Sequence, residues 1–351
     1  MNYSYAYSYD LPEELIAKRP ASPRDSARLF IYDTASDLVT FDLFYNLDKY
    51  LPENSLLVLN DTKVVPARVI LTKETGGRVE VLFLINEWRG KGPIPALVNK
   101  KIEVGMKLFL SAEKFFRAIK QEEKIFYLEP QFPAKEILAI LEKRGTTPIP
   151  KYIKDSGLSE KELREKYQTV FSKKPASVAA PTASLHFTGR LFKKLEKAGI
   201  RKTFVTLDVG MGTFAPISPE SMATGKLHTE FLNIPAASAR LIRQYKQEHR
   251  PVVAVGTTAT RVLESEAERI LSENFTGPIA GATRIFIRPP YEFKIADAMI
   301  TNFHLPDTSL MMLAQAFLLN KGGKKKLVEL YRLAIKEKFR FYSFGDAMLI
   351  K

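Results

Sequence analysis

The 351-residue chain contains no cysteine. That removes disulfides, thiolate nucleophiles, iron–sulfur ligation and cysteine-based zinc sites together, so any chemistry rests on histidine, carboxylate, hydroxyl, amide and cation. Histidine is scarce, four in all, and no HExxH spacing offers a zinc site. GxSxG is missing, which argues against a serine hydrolase. No apolar run is long enough to span a bilayer, and the first twenty residues, MNYSYAYSYDLPEELIAKRP, lack the basic and apolar regions of an export signal. These absences predict a soluble, cytoplasmic protein. Internal repeats and low-complexity tracts are also wanting.

Acidic residues are in deficit: 39 against 53 lysines and arginines, a net charge of +14. Such an excess favours a polyanionic partner, nucleic acid first, because cations that neutralise phosphates release counterions. One local concentration is KGGKKKLVELYRLAIKEKFR (Lys321 to Arg340), with eight basic residues against two glutamates on an amphipathic helical pattern. A solvated helix face accounts for that stretch equally well.

What is present is 45% hydrophobic, ordinary for a globular protein, at a length that accommodates two domains. From Val64 to about Pro150, short period-two runs such as VVPARVIL, GRVEVLFLI, KLFLSA and KIFYLEP alternate with turn residues. They predict a small all-β barrel, closed by the helix AKEILAILEKRG with Gly145 as its C-cap. After Tyr167 strands and helices alternate: KTFVTLDV, AASARLIRQYKQEH, PVVAVG, TATRVLESEAERIL, TRIFIRP. This predicts an α/β domain with a mostly parallel sheet and helices on both faces. ARLFIYD and SLLVLND near the start add strands to it. The large domain is therefore expected over 1–62 and 151–351, with the barrel inserted at 63–150.

In open α/β sheets ligands bind beyond the carboxyl ends of the strands. The segments that follow the expected strands are PTASLHFT, GMGTFAP, GTTATR and TNFHLPDTS, all rich in glycine, threonine or histidine. GMGTF carries a lone Gly-x-Gly, Gly210 and Gly212, with Thr213 after it. Gly256, Thr257 and Thr258 bridge a buried strand and a helix start, where free amides and the helix dipole suit a carboxylate or phosphate, though a plain threonine N-cap fits too. Arg261 and Glu264 share a helix face, as an ion pair or as site residues. His249 in KQEHRP reads as a helix C-terminal cation. His186, His228 and His304 each sit at a strand end or before a helix, which predicts an acid–base cluster.

Taken together, DLPEELIAKRPASPRDSARL, LLVLNDTKVVPARV, TGGRVEVLFL, YQTVF, SVAAPTASLHFT, FVTLDVGMGTFAPI, KLHTEF, VAVGTTATRVLES, DAMITNFHLPDTSLMMLAQAF and FYSFGDAMLI resemble the S-adenosylmethionine:tRNA ribosyltransferase-isomerases of queuosine biosynthesis, in order from Asp10 to Ile350. The resemblance implies an α/β domain interrupted by a β-barrel, no metal and no dissociable redox cofactor, S-adenosylmethionine being a co-substrate. It also implies the reaction: the ribosyl part of S-adenosylmethionine moves onto the aminomethyl group of 7-aminomethyl-7-deazaguanine at the tRNA wobble position, giving epoxyqueuosine and releasing adenine and methionine. His186, His228, Glu230, Arg261 and His304 are the catalytic candidates it suggests. Thr182, Gly210, Gly212, Thr213, Gly256, Thr257, Thr258 and Asn302 are the candidates for holding S-adenosylmethionine. The partners expected are that tRNA and no membrane, with the protein a monomer.

The chain departs from the family at Ser184, where glycine is usual, and at Asp208, where histidine is usual; either Asp208 takes over a polar role or the position is dispensable. IRPPYEF also departs, so Arg288 and Pro290 receive no catalytic part. The competing expectation from another class is a non-enzymic RNA-binding protein whose barrel grips RNA on an α/β scaffold. A third is a nucleotide-binding enzyme with a small acidic substrate.

Overall fold

The computed structural model describes residues 7–153, 156–210 and 217–351. The chain opens with β1 (Arg28–Asp33), β2 (Leu38–Leu43), β3 (Leu56–Asn60) and the short β4 (Thr62–Val64). Six strands follow: β5 (Arg68–Lys73), β6 (Arg78–Phe83), β7 (Ile94–Val98), β8 (Lys107–Phe109), β9 (Phe115–Glu122) and β10 (Ile125–Pro130). They close on one another as an antiparallel barrel in the order β10-β7-β6-β5-β8-β9. Alternation explains the closure, since Val69, Leu71, Val79, Val81, Ala96 and Phe116 turn inward while neighbours such as Ile70 and Arg78 face out. Helix α1 (Ile137–Arg144) adds Ile137 and Leu141 to that core. Gly145 ends the helix as expected, but the reason is packing: its φ is ordinary, and a Cβ there would stand 1.7 Å from the Pro66 carbonyl oxygen.

The remaining elements are α2 (Glu160–Lys166), β11 (Lys174–Ser177), which pairs with β4, α3 (Gly189–Lys197), β12 (Arg201–Leu207), α4 (Pro219–Thr224), β13 (Lys226–Ile234) and α5 (Ala236–Gln247). They continue with β14 (Val252–Val255), α6 (Gly256–Ser265), α7 (Ala267–Leu271), β15 (Ile279–Ile285), β16 (Ala298–Asn302), α8 (Ser309–Asn320), α9 (Leu327–Lys336) and β17 (Ala347–Ile350). Nine strands form one sheet in the order β15-β13-β12-β3-β14-β16-β17-β1-β2. Its centre, β12-β3-β14-β16, is parallel, as is the pair β17-β1; the other pairings are antiparallel, so the sheet is mixed. β15 lies earlier than the TRIFIRP segment suggests, because its ladder to β13 ends at Ile285.

Central strands are buried on both faces and read as continuous apolar runs. Leu56 and Val58 face one layer with α5, α6 and α8; Leu57 and Leu59 face the other with α3. Two cores thus clamp one sheet and hold its strand ends in fixed register. Among the described residues, no helix is long and apolar enough to cross a membrane.

Candidate active site

The parallel strands β12, β3, β14 and β16 point their carboxyl ends to one edge of the sheet, and there the chain forms a cleft. Its lining comes from Pro181–Ala183, Val209, Gly256–Thr258, Thr301–Leu305 and, from the approach to β17, Tyr342 and Ser343. β17 runs antiparallel to β16, which is why the segment before it arrives at this same edge. Gly256 has a φ of +85°, a conformation that a side chain strains, and this lets β14 pass straight into α6. No side chain caps α6, so its first amides open onto the cleft. The Thr258 hydroxyl is buried beside them without a hydrogen-bond partner among the described residues. Open amides, a helix dipole and a spare hydroxyl make a receptor for a carboxylate or phosphate.

Asn302 ties the floor together. Its Oδ1 accepts from the Thr182 hydroxyl at 2.9 Å, and its Nδ2 lies 3.3 Å from the Tyr342 carbonyl, 3.4 Å from that of Asp346 and 3.4 Å from His186 Nε2. His186 is buried below this hub with its ring against Phe44, outside the cleft lining. His304 lines the cleft, shares a 2.8 Å hydrogen bond between Nε2 and the Thr301 hydroxyl, and is pinned through its backbone: its N–H donates to the Tyr331 hydroxyl, and the Tyr9 hydroxyl donates to its carbonyl. Burial pushes His186 down to about 4, against the pull of Asp346, and His304 down to about 3.

Both imidazoles are therefore neutral at physiological pH. In the unfolded chain they take up protons near pH 6.5, so on acidification the unfolded state binds protons that the folded state refuses, and stability falls with pH. Between pH 6.5 and 5 each is expected to contribute a loss of up to about 2 kcal/mol. Urea denaturation at pH 7 and pH 5 measures it: His186→Gln should lose less stability over this interval than the wild type. An equal loss in both proteins would show that the folded state also protonates His186.

A second polar group adjoins the cleft through Val209 and Gly210. The Gly210 N–H donates to Glu230 Oε1 at 3.2 Å, and Glu230 forms a buried ion pair with Arg261. Nε and Nη2 of that guanidinium have no hydrogen-bond partner among the described residues. Asp208 pairs with Arg89 of the barrel at 3.3 Å, and the Arg89 guanidinium stacks on Phe231. Burial raises the Asp208 carboxyl, with Arg89 pulling it back. His228 sits exposed where the β13–β15 register shifts, next to Glu87.

The structure thus divides the expected histidine cluster. His304 faces the cleft, His186 lies under it, and His228 belongs to the junction with the barrel. Thr182, Gly256, Thr257, Thr258 and Asn302 come together at the cleft, Gly210 links the two groups, and Gly212 and Thr213 lie outside the described residues. Arg261 turns to Glu230 and away from Glu264, whose carboxylate accepts the amides of Lys294, Ile295 and Ala296 and anchors that loop. His249 follows the end of α5 with a φ of +54°. Asp208 does hold a polar place, bound to Arg89; nothing in the structure explains Ser184. Among the described residues no group of three or more histidines and carboxylates is arranged to hold a metal ion.

Sequence reasoning missed Tyr152, Tyr342 and Ser343 at the cleft and Asn86, Glu87 and Arg89 at the junction. FYSFGDAMLI among the family-like segments marked Tyr342 and Ser343; nothing local distinguishes Tyr152 or the second set.

A cleft at the carboxyl ends of parallel strands, with an uncapped helix N-terminus on one side and an ion-paired junction with a β-barrel on the other, defines a ligand-binding α/β protein with an inserted barrel. The chain belongs to the family of queuosine biosynthesis proteins, whose pattern matches residues 4–350. It is 41% identical to the S-adenosylmethionine:tRNA ribosyltransferase-isomerase of Caldanaerobacter subterraneus subsp. tengcongensis over 98% of each chain. It is 40% identical to that of Thermotoga maritima, again over 98% of both. A crystal structure of S-adenosylmethionine tRNA ribosyltransferase from Thermotoga maritima matches the fold with a TM-score of 0.55 at 31% identity, over 99% of this chain and 100% of that one.

Proposed function

We propose that this protein is an S-adenosylmethionine:tRNA ribosyltransferase-isomerase of queuosine biosynthesis. The observation that carries the reading is identity near 40% over almost the full length of both chains to relatives of that name. The finer assignments rest on the resemblance to that family. The acceptor is 7-aminomethyl-7-deazaguanine at the tRNA wobble position, the products are epoxyqueuosine-tRNA, adenine and methionine, and the protein works as a cytoplasmic monomer without a cofactor.

The amides of Gly256–Thr258 and the Thr258 hydroxyl hold the methionine carboxylate, which leaves the sulfonium and ribose over the floor formed by Thr182 and Asn302. The sulfonium acidifies the adjacent ribose methylene, so removal of one proton there starts ring opening. Adenine departs once a ring nitrogen is protonated, and methionine leaves as a neutral thioether. His304 at the cleft and His228 at the barrel junction carry these proton transfers, with the Glu230–Arg261 pair beside the cleft. Exposed Lys324, Lys326, Arg332, Lys336 and Lys338 remain available to tRNA phosphates, whereas Lys321, Lys325 and Arg340 of the same stretch face Asp297, Asp37 and Asp346.

Incubation of the purified protein with S-adenosylmethionine and tRNA carrying the aminomethyl base tests the reading. Adenine release is expected only when both are present. No release with both, together with retained tRNA binding, would instead favour a non-enzymic RNA-binding protein.

A further inference from the structure

The barrel reaches the sheet edge through the turn Ile85–Glu87, which packs against β13. Three carboxylates meet there. Glu230 is neutralised by Arg261 and Asp208 by Arg89. Among the described residues Glu87 has no lysine or arginine within ion-pair distance; His228 and the Asn86 side chain are its polar neighbours, and Glu230 repels it. Glu87 is exposed, so a ligand can reach it. Behind it Asn86 is only 2% exposed, with its amide packed against the α-carbon of Gly210, and among the described residues its Oδ1 has no hydrogen-bond partner.

The junction therefore presents one uncompensated negative charge and one buried acceptor in need of a donor. Partial desolvation raises the Glu87 carboxyl above its ordinary range, with His228 and the Asn86 side chain pulling it back. A ligand group that satisfies both features carries positive charge and several N–H donors in a small volume, which describes a primary ammonium. A chain with a net charge of +14 disfavours such a group over most of its surface. The wider positive field suits the RNA backbone, and a local carboxylate is needed for the one cation the RNA brings.

Resting on the function proposed above, we propose that Glu87, backed by Asn86, receives the primary ammonium of the modified base and so selects amine-bearing RNA over unmodified RNA. The selecting residue thus comes from the barrel, while the groups that hold S-adenosylmethionine come from the sheet.

An anticodon stem-loop carrying 7-aminomethyl-7-deazaguanine, and the same stem-loop carrying guanine, test the assignment by binding in the absence of S-adenosylmethionine. The wild type should favour the amine-bearing RNA by about 10- to 100-fold, the range of a charge-assisted hydrogen bond. Glu87→Gln should bring the two affinities to within about threefold while leaving guanine RNA binding as it was. A preference retained in Glu87→Gln, or an equal loss for both RNAs, overturns the assignment. Adenine release by the wild type is measured alongside: if it occurs and the preference survives in the variant, the amine receptor alone fails; if it never occurs, the functional reading fails and the receptor with it.

Discussion

Arg261→Met is expected to lower both stability and turnover, and to lower stability more than any other single change in the site. The Arg261 and Glu230 side chains are 7% and 6% exposed, so removing the guanidinium leaves a buried carboxylate without the cation that now neutralises it. That costs about 3–5 kcal/mol, or roughly 4–7 °C in Tm for a chain of this size. Replacing both members, Glu230→Gln with Arg261→Met, should recover most of the stability, since a buried pair contributes little net energy once both charges are gone. Turnover should not recover with it. The Nε and Nη2 edge of Arg261 is two parallel donors held dry and unpartnered among the described residues, the arrangement that binds a pair of ligand oxygens. Its loss is expected to lower single-turnover adenine release by roughly 10²- to 10³-fold. Calorimetry and rapid quench on the single and double variants separate the two effects; a double variant that regains both would make the pair purely structural.

His304→Ala is expected to lower single-turnover adenine release by roughly 10²- to 10⁴-fold, the usual worth of a positioned proton-transfer group, with tRNA affinity almost unchanged. The expectation rests on place. His304 is fixed by Thr301, Tyr331 and Tyr9 with its ring at the cleft and is neutral at pH 7, so it can accept a proton without first losing one. His186→Gln should cost stability more than rate, because that ring sits behind Asn302 against Phe44. His249→Asn is the control, since asparagine tolerates the left-handed backbone at that position. A His304→Ala enzyme turning over within threefold of wild type would move the proton transfer to His228 or Glu230.

The barrel was legible because period-two patterning such as RVEVLF is local, and β5 and β6 are joined by a turn that needs Gly76 at a φ of +81°. The parallel centre was legible for a similar reason: alternating strands and helices leave few ways to pack. Direction at the sheet margins was not, because whether β13, β15 or β17 runs up or down depends on where the chain crosses over, and no residue within the strand records that. Gly256 announced itself by interrupting an apolar strand just before a helical pattern. Glu87 could not, since its meaning arises only when the bulge in β13 brings His228 beside it, some 140 positions later in the chain. The three histidines looked equivalent because proximity to a strand end does not say which side of Asn302 a ring will occupy.

The position of β17 has a consequence for synthesis. It is made last of the seventeen strands among the described residues, yet it lies inside the sheet, filling the gap between β16 and β1. As the polypeptide leaves the ribosome, the barrel can complete its own ring of hydrogen bonds early, while β1 and β16 each keep an open edge that only residues 347–350 fit. Tyr342 and Ser343 of the cleft arrive on that same late segment. An unfinished chain therefore has neither a closed sheet nor a finished cleft, and its two bare edges mark it for aggregation or proteolysis before it can engage RNA unproductively.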